Sequence, residues 1–448
     1  MHIKKSYGVI LDRSEPSKNN IFLYFIFSKK EILPIDTGDT AWMLIASSLV
    51  LLMIPALGLF EAGLLRRKNT VSIFMQIFFG LAILSVMWFT FGFTLSFGPD
   101  TGMGLTGNMD WTFLKNVPYD SGLSYAPTIP GVLFAKFQMM FAVITPLLLT
   151  GAIAERMKFS AYIIFIVAWS GLIYYPLVHW IWGGGWLGKM GVVDFAGGIV
   201  IHTSAGMGAL AAALVLGRRL NYGPSIMIPH SIPIAVLGSS LLWLGWFGFN
   251  AGSALASGSL AGNTIINTHI ASSISALIWV GLSWMRTGKP SVIAAINGAI
   301  AGLAGITPAS GFVSVEHAFV LGIAIGIGSY LAVLFFKEHL KIDDALDVSS
   351  VHGVAGIIGS LGIGIFASTL VNPAGPNGLL FGNPHQLLIQ AIGVGVAGVM
   401  GFFGTFAIMK VIDKLIGVRV SAKVEEAGLD IEEHAERAYS DEDEFGKM

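Results

Sequence analysis

The chain has 448 residues, of which 54% are hydrophobic and 12% charged, with 56 glycines, no cysteine and a net charge of −1; its mean hydropathy is +0.73. A soluble domain carries about 25% charged residues, so this composition excludes a soluble globular protein and describes an integral membrane one. The charge balance, without a basic patch, leaves nucleic acids no electrostatic footprint, and the missing cysteines exclude disulfides and thiolate metal sites.

Residues 1–35 are a polar extension carrying Lys4, Lys5, Arg13, Lys18, Lys29 and Lys30. Their one apolar run, Ile21 to Phe27, sits at the lower edge of a signal-peptide core and is followed by no clear small-residue cleavage site. Beyond it, segments long enough to cross about 30 Å of hydrocarbon fall at 40–65, 71–97, 129–154, 160–182, 195–217, 231–255, 263–285, 291–308, 315–336, 345–368 and 385–417. The reading is an all-α integral membrane protein with eleven transmembrane helices.

Alternate connections hold the positive charge: Arg66, Arg67 and Lys68, then Arg156 and Lys158, Arg218 and Arg219, Arg286 and Lys289, Lys337 and Lys341. The opposite connections hold only Lys115 and Lys189. The positive-inside rule, applied to short loops, starts the membrane core outside and ends it in the cytoplasm. The basic extension of residues 1–35 conflicts with an outside location, which implies that it is cleaved or disordered, or that the chain starts later.

Ionisable groups within apolar spans mark pathways by default. The fifth span opens Asp194-Phe-Ala-Gly-Gly-Ile-Val-Ile-His202-Thr-Ser-Ala205-Gly206, and the tenth opens Asp344-Ala-Leu-Asp-Val-Ser-Ser-Val-His352-Gly-Val-Ala355-Gly356. Asp, His, Ala and Gly recur at the same offsets, and loop charge places the two aspartates on opposite faces. Five helices are therefore repeated in inverted orientation, with the eleventh as an unpaired extra. In such repeats the substrate path lies at the repeat interface near the midplane. Eight residues of helix, about 12 Å, should carry each histidine there.

A lone membrane histidine is as often a satisfied packing residue as a functional one; the symmetric pair favours a pore lining. Asp194 and Asp344 both read as helix caps, Asp194 with a further role in lending negative potential to an outer vestibule. The remaining histidines, His2, His179, His230, His269, His317, His339, His385 and His434, read as structural or solvated.

At these residues the sequence resembles the ammonium transporter (Amt/Rh) family, its Amt branch in particular, over about residues 36–440. The matching segments are DTAWML at 39–44, GLLRRKN at 63–69, AERMKFSA at 154–161, HWIWGGGW at 179–186, DFAGGIVIH at 194–202, LWLGWFGFNAGSA at 242–254, DDALDVSSVHGVAGIIG at 343–359 and GLDIEEHAERAY at 428–439. The resemblance implies a transporter rather than an enzyme, without cofactor or metal, assembled as a homotrimer with one pore per subunit in the cell membrane. It divides the chain into an N-terminal extension (1–35), a membrane domain (36–417) and a cytoplasmic regulatory tail (418–448). It also implies residue roles: Phe141, Trp182 and Ser253 recruit the cation, Asp194 is the pore acid, Phe141 and Phe249 form a phenylalanine gate, and His202 and His352 line the pore.

The chemistry expected of such a site follows from ammonium itself. Aromatic faces attract the cation by about 0.5–2 kcal/mol, and the Ser253 oxygen accepts a hydrogen bond. Carrying the ion whole through an apolar bore sacrifices tens of kcal/mol of hydration in the idealised limit; deprotonating an amine at neutral pH costs about 3–4 kcal/mol. Ammonia, and methylammonium by the same chemistry, can use this route, whereas potassium has no proton to lose. Whether the stripped proton follows along the imidazoles stays open at this level.

The tail holds ten acids in its last 28 residues and is similar to the Amt tail that couples to PII-type signalling proteins. Where the family prefers glycine after His434, this chain has Ala435, which puts docking under strain if that position needs a positive φ. Rival readings are an ammonium sensor of the same fold, an intramembrane metalloenzyme using the histidine pair, and a cation channel. The sequence offers no third metal ligand beside the pair and no carbonyl-filter signature.

Overall fold

The computed structural model describes residues 34–223 and 228–439; the N-terminal extension, apart from its last two residues, and the final acidic stretch lie outside them. Among the described residues ten helices are long and apolar enough to cross a membrane. They are α1 (Thr37–Leu64), α2 (Arg67–Phe97), α3 (Gly131–Ile153), α4 (Phe159–Met190), α5 (Gly198–Leu216), α6 (Ile232–Gly252), α7 (Ser259–Thr287), α9 (Val315–His339), α10 (Ser349–Phe366) and α11 (His385–Ile416). The eighth expected segment forms a shorter apolar helix, α8 (Val292–Ile306). Its 15 residues rise only about 22 Å, and 12 of them are buried; protein packed around it removes the need to span lipid alone. Two short helices follow in the tail, α12 (Ala422–Ala427) and α13 (Leu429–His434). The described residues contain isolated β-bridges and no extended strand.

The packing has the symmetry of the repeat. The counterparts α1 and α6 lie along one another, as do α5 and α10, while α2 and α3 pack together as α7 and α8 do. The unpaired α11 lies against α5 and α10. The face bearing Arg66, Arg156 and Arg219 is termed inner and the opposite face outer, labels that rest on loop charge alone.

The start of α5 and α10 differs from expectation. Instead of beginning at Asp194 and Asp344, the helices begin at Gly198 and Ser349, each with a π-helical turn. The Asp194 carboxylate explains the first case: it accepts the amides of Gly197, Gly198, Ile199 and Val200 at 2.7–3.0 Å. Four donors that an ordinary first turn would leave orphaned are gathered onto one side chain, which holds residues 194–197 out of the helix. His202 therefore sits in the opening turn of a helix that starts at depth, not eight residues along one. Its counterpart Asp344 accepts from the amide and hydroxyl of Ser349, both at 2.7 Å.

Close approach of α5 to α10 needs glycine. A Cβ built on Gly206 would fall 2.2 Å from the backbone of Gly353, and one on Gly356 would meet the His202 Cβ at 2.8 Å. Small residues let helix backbones touch in this way, which is why Ala-Gly recurs after each histidine.

Candidate functional site

Three chambers bear on the candidate site. The outermost, about 300 Å³, is lined by Gln138, Phe141, Trp182, Asp194, Ser253 and neighbouring aromatics. Trp182 stands at a break in α4, where the Gly183 backbone presses so close to the Ser96 carbonyl that a Cβ would be 1.9 Å away. Its indole donates to the Asp194 carbonyl at 2.7 Å, and its ring centroid is 6.3 Å from that of Phe141. Ser253, at the end of α6, donates its hydroxyl to the Phe249 carbonyl at 2.9 Å, so the lone pairs of the oxygen stay available as acceptors.

Below this chamber the rings of Phe141 and Phe249 meet edge to face with centroids 4.4 Å apart, each about 1% exposed. Phe141 lines the outer chamber and Phe249 the next one. That second chamber is narrow, about 20 Å³, and is walled by Leu57, Phe60, Ile144, Leu148, Trp246, Phe249 and the two histidines. Space of this size holds about one water-sized molecule.

His202 and His352 come together as the repeat implies, their Nδ1 atoms 3.2 Å apart and their rings nearly parallel at 22°. One Nδ1 must donate and the other accept. Two neutral rings paired this way expose one Nε2 as an acceptor and the other as an N–H donor. The Nε2 of His202 is buried without a protein partner among the described residues. Trp246, which the motif reading did not single out, stacks on His202 with centroids 5.6 Å apart; its position three residues before Phe249, on the same face of α6, was the available signal. Among the described residues no group of three His, Asp or Glu side chains is placed to hold a metal ion.

The third chamber, about 630 Å³, opens on the inner face between Arg218, Arg219, Lys337, Glu338, Lys341 and Asp347. Beside it lies a buried ion cluster that sequence reasoning passed over as loop charge. Arg219 grips Asp343 through Nε and Nη2 at 2.7–3.2 Å and reaches Glu155 at 2.8 Å, which also pairs with Arg66 at 3.0 Å. Asp343, adjacent to the cap Asp344, is thus an ion-pair partner and not a second cap.

The tail docks onto this face through helix ends. Asp430 accepts the Ser72 amide in the first turns of α2 at 2.9 Å, and Glu433 accepts the Phe159 amide at the start of α4 at 3.0 Å. Glu425 accepts the Leu220 amide at 2.6 Å and pairs with Arg419 at 2.8 Å. Helix N-termini present orphan donors and positive potential, which an acidic tail complements. Ala435 ends α13 at φ 55°, ψ 28°, the left-handed region that favours glycine. A β-carbon there costs about 1 kcal/mol. Ala435→Gly is therefore expected to tighten tail docking by about that amount, seen as slower amide exchange across residues 422–434.

The comparisons with known proteins agree with this architecture. A profile described as the Ammonium Transporter Family matches residues 41–439. The chain is 51% identical to Ammonium transporter 1 of Dictyostelium discoideum, covering 96% of this chain and 93% of that protein. Its structure is similar to the crystal structure of Candida albicans Mep2, with a TM-score of 0.82 at 33% identity over 91% of this chain and 93% of that one. It is also similar to a structure described as Sensor Amt Protein, with a TM-score of 0.81 at 33% identity over 89% and 98%. With the full membrane core matched at these identities, the chain belongs to the Ammonium Transporter Family and is a multi-span membrane transporter of ammonium.

Proposed function

We propose that the protein recruits ammonium at Phe141, Trp182 and Ser253 under the negative potential of Asp194, strips its proton there, and passes ammonia between Phe141 and Phe249 and along His202 and His352 to be reprotonated on the inner side. The observation that carries this reading is the histidine pair in an apolar chamber of about 20 Å³. Ammonia both donates and accepts hydrogen bonds, and the pair offers one of each. A whole cation in that chamber would trade its hydration shell for two neutral rings and hydrocarbon. Methylammonium is the natural second substrate.

The same reading makes the protein a homotrimer of the cell membrane, with its N-terminus outside, its membrane domain at 36–417 and a cytoplasmic regulatory tail at 418–448. A PII-type signalling protein is the proposed partner of that tail, which Asp430 and Glu433 tie to the starts of α2 and α4 and Glu425 ties to Leu220, next to the chamber residue Arg219.

The likeness to the structure described as Sensor Amt Protein supports a second reading, in which the site binds ammonium and signals with little transport. An ammonium pulse given to reconstituted protein, with current and internal pH recorded together and potassium as control, separates the two. A saturable inward current absent with potassium is the expected result and means coupled proton movement. Internal alkalinisation without current means electroneutral ammonia passage. Neither response, in protein that binds ammonium, overturns transport in favour of sensing.

A further inference from the structure

The eleventh helix has no counterpart in the repeat, yet two of its glutamines reach the loop that carries Asp194. Gln390, fully buried, accepts the Val193 amide on Oε1 at 3.0 Å. It donates through Nε2 to the Val193 carbonyl at 2.8 Å and to the Ser360 carbonyl at 3.2 Å. One turn earlier, Gln386 donates to the Gly191 carbonyl at 3.0 Å and to Oε1 of Gln390 at 3.2 Å. A primary amide that both donates to and accepts from one residue's backbone fixes its position and its orientation.

The residue so held precedes Asp194, whose carboxylate gathers the α5 amides and whose carbonyl receives the Trp182 indole. A displacement of Val193 therefore moves the acid and the aromatic face together. In the inner half the counterpart of Val193 is Asp343, held by charged groups instead of a neutral amide: Arg156 donates to its carbonyl at 2.6 Å and Arg219 to its carboxylate at 2.7 Å. The uncharged clamp falls on the side where the cation is recruited, where a guanidinium would repel it.

We infer that Gln390 is a positioning residue for the outer site: by clamping Val193 it sets the placement of Asp194 and Trp182 against Phe141 and Ser253, so that α11 tunes affinity for the cation without touching it. The inference rests on the recruitment reading proposed above. Attraction of a cation to an aromatic face and a carboxylate depends on their joint geometry, whereas passage through the chamber beyond Phe249 does not. The signature is a raised KM at nearly constant maximal rate.

The test measures ammonium-evoked currents and thermal melting of full-length Gln390→Met, Gln386→Met and Trp182→Leu in liposomes. Gln390→Met, which removes both bonds to Val193 at similar volume, is expected to raise KM about tenfold with the maximal current per folded protein within about twofold of wild type. Gln386→Met, which frees Gly191 and removes one bond to Gln390 Oε1 but leaves both bonds to Val193, is expected to raise it about two- to threefold. A native KM in folded Gln390→Met overturns the inference, as does a parallel fall of affinity, rate and melting temperature. Should Gln390→Met not fold, a native KM in Gln386→Met decides against it. Trp182→Leu separates the two layers: a native KM there removes the recruitment reading itself. A raised KM there with a native Gln390→Met removes only the positioning role.

Discussion

Replacing His202 or His352 by alanine is expected to lower ammonium-driven current at least about tenfold and to narrow the preference for ammonium over potassium. Each substitution deletes one half of the Nδ1–Nδ1 pair, leaving the surviving ring's buried nitrogen unpaired at about 1–3 kcal/mol. It also takes away the donor or the acceptor that ammonia would meet. In addition, the chamber grows by the volume of an imidazole from about 20 Å³, which admits water and with it hydrated ions. The decisive comparison is current evoked by ammonium and by potassium, normalised to folded protein measured by thermal melting. Folded variants with unchanged rate and unchanged selectivity would remove the pore assignment.

The second large effect is expected at Arg219. Burial by itself would raise the pKa of Glu155 and Asp343. The guanidiniums of Arg219 and Arg66 nevertheless hold Glu155 below the usual glutamate value, and those of Arg219 and Arg156 do the same for Asp343. Carboxyls depressed in the folded state contribute stability above their unfolded pKa values, near 4.5 and 3.8, and lose it as pH falls through the folded values. Wild-type melting temperature should accordingly be level at neutral pH and drop in acid. Arg219→Ala strands the buried Asp343 carboxylate and leaves Glu155 with Arg66 as its ion-pair partner, a loss of about 3–5 kcal/mol, and its deficit should be largest near pH 7 and shrink in acid as the carboxylates take up protons. Thermal melts from about pH 2 to pH 8 check both signs, the wild-type drop falling below the unfolded values. Arg219→Lys should restore little, since an ammonium cannot reproduce the two-sided grip on Asp343 and Glu155.

The division between what was legible and what was not follows the range of the interactions. Apolar runs such as 40–65 and 385–417, the alternation of Arg66, Arg156 and Arg219 with near-neutral loops, and the Asp–His–Ala–Gly repeat are local or periodic features. A multi-span helical protein, its inverted repeat and the meeting of His202 with His352 can be read from them directly. The eighth segment was placed correctly, but its helix is short because neighbouring helices surround it. The onset of α5 lies later than hydropathy implies because apolar character continues through residues 195–197 while one carboxylate diverts four amides from the first turn; at α10 the Asp344 carboxylate takes the Ser349 amide.

The contacts of Gln390, Trp246 and the Arg219 cluster emerge from the packing of distant segments. Gln390 lies 197 residues from Val193, and Arg219 lies 124 from Asp343 and 64 from Glu155. No periodicity connects such positions. In a bilayer every buried polar group must find its partner inside the protein, and which partner it finds is settled by how the helices pack.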